Sequence, residues 1–162
     1  MPAQVTAEQV ADYLIHFSHE VGDPITNLKL QKLLYYAQAW YLALHDKPLF
    51  DDQIEAWVRG PVVPNVWRKY KDYKWSPIAT EPGVVRLPDE VMAHLDEIMK
   101  VYGTLPAFHL ERLTHQEAPW QHARGGRAAD EPSNEIISLD DMRDFYRQMA
   151  QEDGNQEEQA SP

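Results

Sequence analysis

Apolar residues recur at helical spacing over most of this chain. Thr6 followed by Gln9 has the form of a capping box, and Val10, Tyr13, Leu14 and Phe17 then repeat at i, i+3, i+4 and i+7. This predicts an amphipathic helix closed by Gly22-Asp23-Pro24. From Thr26 or Asn27 to about Leu44, the stripe Leu30, Leu33, Leu34, Ala37, Tyr41 and Leu44, widened by Trp40, predicts the helix around which the core is built. The period then changes. Residues 54–58 alternate as a short strand does and stop at Gly60-Pro61. Pro61 and Pro64 should keep the intervening Val62 and Val63 extended, because a proline disfavours helical geometry in the residue before it. Asn65 is placed to cap a short helix over 66–73. Residues 77–87 lack a helical period and read as a connection.

Helical spacing returns near Pro88, with Val91, Leu95, Ile98 and Tyr102 on one face and Gly103 as the stop. Thr104 can cap the next helix, with Phe108, Leu110 and Leu113 as core candidates. A short turn over 120–124 fits between Pro119 and Gly125-Gly126, and Ser138 with Asp141 caps a last helix carrying Met142, Phe145, Tyr146 and Met149. At 162 residues the chain is long enough for one sizeable core and short for two. The expected class is mainly α: a single compact domain of about six or seven helices over residues 1–148, with room for short β pairing near 54–58 and 135–137.

Charge adds a boundary to this picture. The formal net charge is −11, and ten of the 26 acids but only two of the 15 bases fall after residue 127. Residues 149–162 combine that acidity with few apolar side chains, so they cannot offset their own ordering entropy by burial and are expected to form a disordered acidic tail. No apolar run is long enough to span a bilayer and no start resembles a signal peptide, which makes the cytoplasm the expected location. The absence of cysteine excludes disulfides, thiolate metal sites and a cysteine nucleophile.

Enzyme motifs are missing: there is no phosphate-binding glycine loop, dinucleotide fingerprint, H-E-x-x-H or G-x-S-x-G. The best remaining cluster is His115, Glu117, His122 and Arg124 in LTHQEAPWQHAR. His115-Gln-Glu117 has the H-x-E form of zinc deaminases, but the P-C-x-x-C that completes that site has no counterpart here. The plainer reading has His115 and Trp120 hydrogen-bonding and packing at a corner between helices. Asp12, His16, His19 and Glu20 read as a solvated helix face. No enzyme activity, metal or cofactor is expected.

One segment departs from its acidic surroundings. Between Trp57 and Trp75 the chain carries Arg59, Arg68, Lys69, Lys71 and Lys74 against the single acid Asp72, with Trp67, Tyr70 and Tyr73 interleaved. Such a composition suits core packing by the tryptophans, a protein interface rich in Trp, Tyr and Arg, or a surface for single-stranded nucleic acid. An overall charge of −11 disfavours a polyanion, since nucleic-acid affinity depends on many phosphate contacts.

Three blocks, TNLKLQKLLYYAQAWYLAL at 26–44, PLFDDQIEAWVRGPVVPNVWRKYK at 48–71 and LTHQEAPWQHAR at 113–124 followed by the final helix, together resemble the Panacea domain, the SocA-like antitoxin family. The resemblance covers about residues 8–147. It implies a mostly helical, non-enzymatic antitoxin that neutralises a cognate toxin protein by direct contact, in one form as an adaptor delivering that toxin to the ClpXP protease. It marks Lys32, Tyr35, Trp57, Gly60, Pro61, Pro64, His115, Glu117 and Trp120 as structural signature positions. Trp67, Arg68, Lys69, Tyr70 and Lys71 are the expected partner-binding residues, with a nucleic-acid-binding regulator using 59–75 as the alternative.

Overall fold

A computed structural model describes residues 3–160, with seven helices and a two-stranded sheet among them. The Thr6 capping box is present: Thr6 accepts from the Gln9 amide, and the Gln9 side chain accepts from the Thr6 amide. It starts α1, Ala7–Glu20, which buries Val10, Ala11, Leu14 and Ile15. The second helix, α2, Asn27–His45, is buried on nearly every side and packs against α1, β2, α3, α4, α5 and α7, whose ranges follow. Its apolar stripe is wider than expected, because Tyr35, Tyr36 and Ala39 are also buried, while Leu44, at the solvent end, is 61% exposed.

Polar groups buried on α2 attach the irregular chain around it. Gln38 donates to the Phe50 carbonyl at 2.8 Å and accepts from the Leu49 amide at 2.7 Å. Gln31 accepts from the Val63 amide at 2.9 Å and donates to Asn27 Oδ1, and Asn27 donates to the Trp67 carbonyl at 3.0 Å. The bonds to Leu49, Phe50, Val63 and Trp67 satisfy backbone groups, and a buried backbone group left without a partner is expensive.

The strand expected at 54–58 is β1, Glu55–Trp57. It does not simply stop at Gly60-Pro61: it turns through Val58-Arg59 into β2, Gly60–Val62, with Ala56 opposite Pro61 and Trp57 opposite Gly60. Segment 135–137 flanks the other side of β1 through Ala56 N to Glu135 O and Ile137 N to Ile54 O, both 2.8 Å, so both expected β regions pair. Gly60 has φ of +110°, and a Cβ there would lie 2.7 Å from Lys32 Cε, so the position requires glycine for both conformation and space.

The next helix, α3, is Pro64–Tyr70, followed by a 3₁₀ turn at Lys71–Tyr73. It begins at Pro64 with Val63 as its cap residue, and Asn65, expected as the cap, instead accepts from Arg68. Proline at the first helical position lacks the amide that a cap would satisfy. α4, Asp89–Tyr102, follows its predicted stripe. α5, Ala107–His115, is preceded by Pro106, not capped by Thr104, and its Phe108 is 60% exposed while Leu110 is fully buried. α6, Ala118–Arg124, carries Pro119 in its first turn. α7, Leu139–Ala160, begins with the Ser138 hydroxyl accepting from the Asp141 amide. It buries Met142 and Tyr146 against α2 and α6. From Ala150 to Gly154 its residues are exposed, so this stretch lacks core contact as its composition implies, but it continues α7 where the sequence suggested coil.

Replacing Gln38 by Leu would leave the Leu49 amide and Phe50 carbonyl buried without a partner. Thermal unfolding of Gln38→Leu should show a loss of about 2–3 kcal/mol, a fall in Tm of roughly 5–10 °C.

Candidate functional site

The hairpin and α3 meet α2 at a cluster of buried ionisable groups. Lys32 is fully buried and its Nζ donates to the Pro61 carbonyl at 2.9 Å, beside Gly60. Burial lowers its pKa to about 7, against the opposing pull of Glu111. Arg59, in the hairpin turn, grips Glu111 of α5 with two bonds, 3.1 and 3.2 Å. On α6, Trp120 donates to the Trp57 carbonyl at 2.9 Å and stacks on His115 at 4.1 Å between ring centres. His115 and Trp120 do form the expected corner, by stacking; His115 Nε2 is buried and unpartnered among the described residues. Arg124, 2% exposed, lies 4.7 Å from the Trp120 ring centre and donates to the carbonyls of Ala56, Ala128 and Glu131.

His115 and Glu117 diverge. Glu117 turns inward to accept from Tyr36 at 3.0 Å and Tyr146 at 2.5 Å, which ties α2, α6 and α7 together. Burial raises its pKa to about 7, against these two donors. Tyr35 lies edge-on to Tyr36 and Tyr146 in the same cluster, and burial raises its own pKa well above the ordinary value. His122 faces Asp141 at the surface. No group of three His, Asp or Glu side chains is arranged to hold a metal ion among the described residues.

The expected partner-binding residues do not share one face. Trp67 is half-buried and lies edge-on to Trp57 at 5.9 Å, whereas Arg68 and Lys71 are exposed. Lys69 is engaged with Glu8 of α1 at 2.5 Å. Tyr70 is 5% exposed, part of the core, with its hydroxyl directed to Asp12. Three residues apart on α3, Trp67 meets the hairpin at Trp57 and Tyr70 meets α1 at Asp12. Pro64 starts α3 and Pro61 sits in β2, both serving architecture.

Trp57, Trp67 and Trp75 surround an apolar cavity of about 280 Å³, floored by Leu28 and Val62, with Val58, Arg59, Pro132 and Ser133 completing the walls. The Arg59 guanidinium lies 4.7 Å from the centre of the Trp75 ring, and Trp75 is 70% exposed. Sequence reasoning placed all three tryptophans in one segment without showing that they converge. It also missed Gln31, Gln38 and Asn27, although their spacing at i, i+4 and i+11 puts them on one side of α2.

Residues 30–121, which hold Lys32, the hairpin and α3 to α5, match the model of the antitoxin SocA-like, Panacea domain family. This chain belongs to that family. Antitoxin SocA of Caulobacter vibrioides (strain NA1000 / CB15N) is 43% identical over 138 residues, covering 77% of this chain and 73% of its own length. No solved structure matches. Within the Panacea match lie Trp57, Trp67 and Trp75, while Leu28 and the 132–133 wall fall outside it.

Titration of the two buried groups should shape stability with opposite signs. Glu117 has a raised pKa, so its contribution is present below pH 4.5 and is lost as pH rises to about 7. Lys32 has a lowered pKa, so its contribution is present above pH 10.5 and is lost as pH falls to about 7. Tm measured against pH should therefore flatten on the acid side in Glu117→Gln and on the alkaline side in Lys32→Met, the acid limb amounting to on the order of 3 kcal/mol.

Proposed function

We propose that this protein is a cytoplasmic antitoxin that neutralises a cognate toxin protein by direct contact, using the surface built by the hairpin, α3 and Trp75. Membership of the SocA-like family, across a match holding that whole surface, carries the reading. The surface itself supports it: three tryptophans around an apolar cavity, with Arg59 in its wall, have the composition of an interface hot spot. Lys69 is already paired with Glu8 and Arg59 with Glu111, which leaves Arg68, Lys71 and Lys74 without a carboxylate partner among the described residues. Three cations in a protein of charge −11 are few for a polyanion, which favours a protein partner over nucleic acid.

An adaptor form of the same function hands the bound toxin to ClpXP. The exposed polar end of α7, which makes no core contact from Ala150 to Gly154, supports it by leaving a segment outside the folded body for a second contact. Toxin half-life in cells with and without this protein separates the two forms: shortening supports delivery to a protease, and an unchanged half-life with survival supports occlusion alone.

Arg68→Glu combined with Lys71→Glu should leave Tm within about 1–2 °C of the parent, because exposed charges contribute little to stability. The same variant should weaken toxin binding at least tenfold in a calorimetric titration. A large fall in Tm would instead place these residues in a structural network.

A further inference from the structure

We propose that Lys32 is a proton-sensitive peg beneath the hairpin: as a neutral amine it holds β2 down, and on taking up a proton it loosens the hairpin and with it the candidate toxin-binding surface. The inference rests on the antitoxin reading above for its consequence, while the device itself is a property of the fold. Lys32 is fully buried, and its Nζ has one hydrogen-bond partner among the described residues, the Pro61 carbonyl at 2.9 Å. An ammonium carries three N–H donors and a neutral amine two, so protonation adds both a charge and a donor where there is a single acceptor. A buried charge without a counterion is costly.

The surroundings offer no free counterion among the described residues. Glu111 of α5 is the carboxylate that acts on the amine, but two bonds from Arg59 already hold it, and Arg59 opposes the charge from the hairpin side. His115, also on α5, has its own pKa lowered by burial. On α6, Glu117 is taken up by Tyr36 and Tyr146, His122 by Asp141, and Arg124 by main-chain carbonyls. Lys29, on α2 itself, reaches the Gly103 carbonyl. Burial accordingly lowers the pKa of Lys32 to about 7. Close contact gives the coupling its direction: a Cβ on Gly60 would lie 2.7 Å from Lys32 Cε and 3.1 Å from Nζ, so the hairpin rests directly on this side chain. β2 is three residues long and is the element the amine holds, so hydrating the ammonium parts it from α2. Trp57, paired with Gly60, and Arg59 in the turn move with it.

The test uses the full-length protein. In NMR spectra of isotope-labelled parent, the Lys32 side-chain signal and the Gly60 amide should titrate together, with a common midpoint near pH 7. Lys32→Met should abolish the Gly60 titration and His115→Gln should keep it. A Lys32 signal that does not titrate between about pH 5.5 and 9, or a Gly60 titration that survives Lys32→Met or vanishes in His115→Gln, overturns the proposal. If Lys32→Met fails to fold, the parent and His115→Gln decide by the same criteria. Between pH 8 and pH 6 the parent should lose about tenfold more affinity for the purified toxin than Lys32→Met does, close to what one proton taken up near pH 7 allows. Ionisation of the toxin itself is common to both. Equal losses overturn the proposal while leaving the antitoxin reading standing. A toxin left unbound at every pH overturns that reading and the consequence drawn from it, and the Gly60 titration, which needs no toxin, tells the two failures apart.

Discussion

Helix α2 is buried on almost all sides, yet it is not an apolar rod. Asn27, Gln31, Lys32 and Gln38 are buried with it, and each reaches a backbone group outside α2: the carbonyls of Trp67, Pro61 and Phe50 and the amides of Val63 and Leu49. An unsatisfied group at any of these points would cost more than a made bond contributes, so the asymmetry between the two fixes where the chain may run. The hydrophobic effect brings α1, α4, α5 and α7 to this helix, but it is non-directional. Direction comes from the buried polar bonds, and they decide how the hairpin and α3 sit.

Everything at the candidate surface follows from that placement. Lys32 holds the Pro61 carbonyl beneath the hairpin, Gln31 holds Val63, and Asn27 holds the end of the Trp67 turn. With these fixed, Trp57 from the strand and Trp67 from the helix are brought edge to face, and Arg59 is carried to where Glu111 and the Trp75 ring both meet it. Gly60 is needed because Lys32 occupies the space a side chain would fill. The antitoxin family match, residues 30–121, takes in Gln31, Lys32, the hairpin, α3 and Glu111 of this assembly.

The sequence made the helices readable because burial follows a 3.6-residue period and caps have local signatures, as the Thr6 and Ser138 starts show. It was weaker where two elements share a residue. Val58-Arg59 carries neither Gly nor Asn, so nothing local announced a tight turn, and β2 holds a proline that argues against a strand. Phe108 looked like core by type and is exposed, while Tyr70 looked like a contact residue and is core, because facing depends on helix phase relative to neighbours that the sequence does not place. The basic aromatic segment was recognisable by composition. That its tryptophans line a single cavity depends on Pro132 and Ser133, which are far away in sequence and carry no signal of their own.

Arg124 connects those distant parts. Its guanidinium, stacked on Trp120, holds the Ala56 carbonyl in β1 together with those of Ala128 and Glu131, just before the Pro132-Ser133 wall, while Trp120 holds the Trp57 carbonyl. Two walls of the cavity thus hang on one interior pair, and their spacing is set during folding. On the proposed reading, a surface whose walls are already in place gives up little conformational freedom when a partner docks, so differences among partners should appear mainly in how long they stay bound.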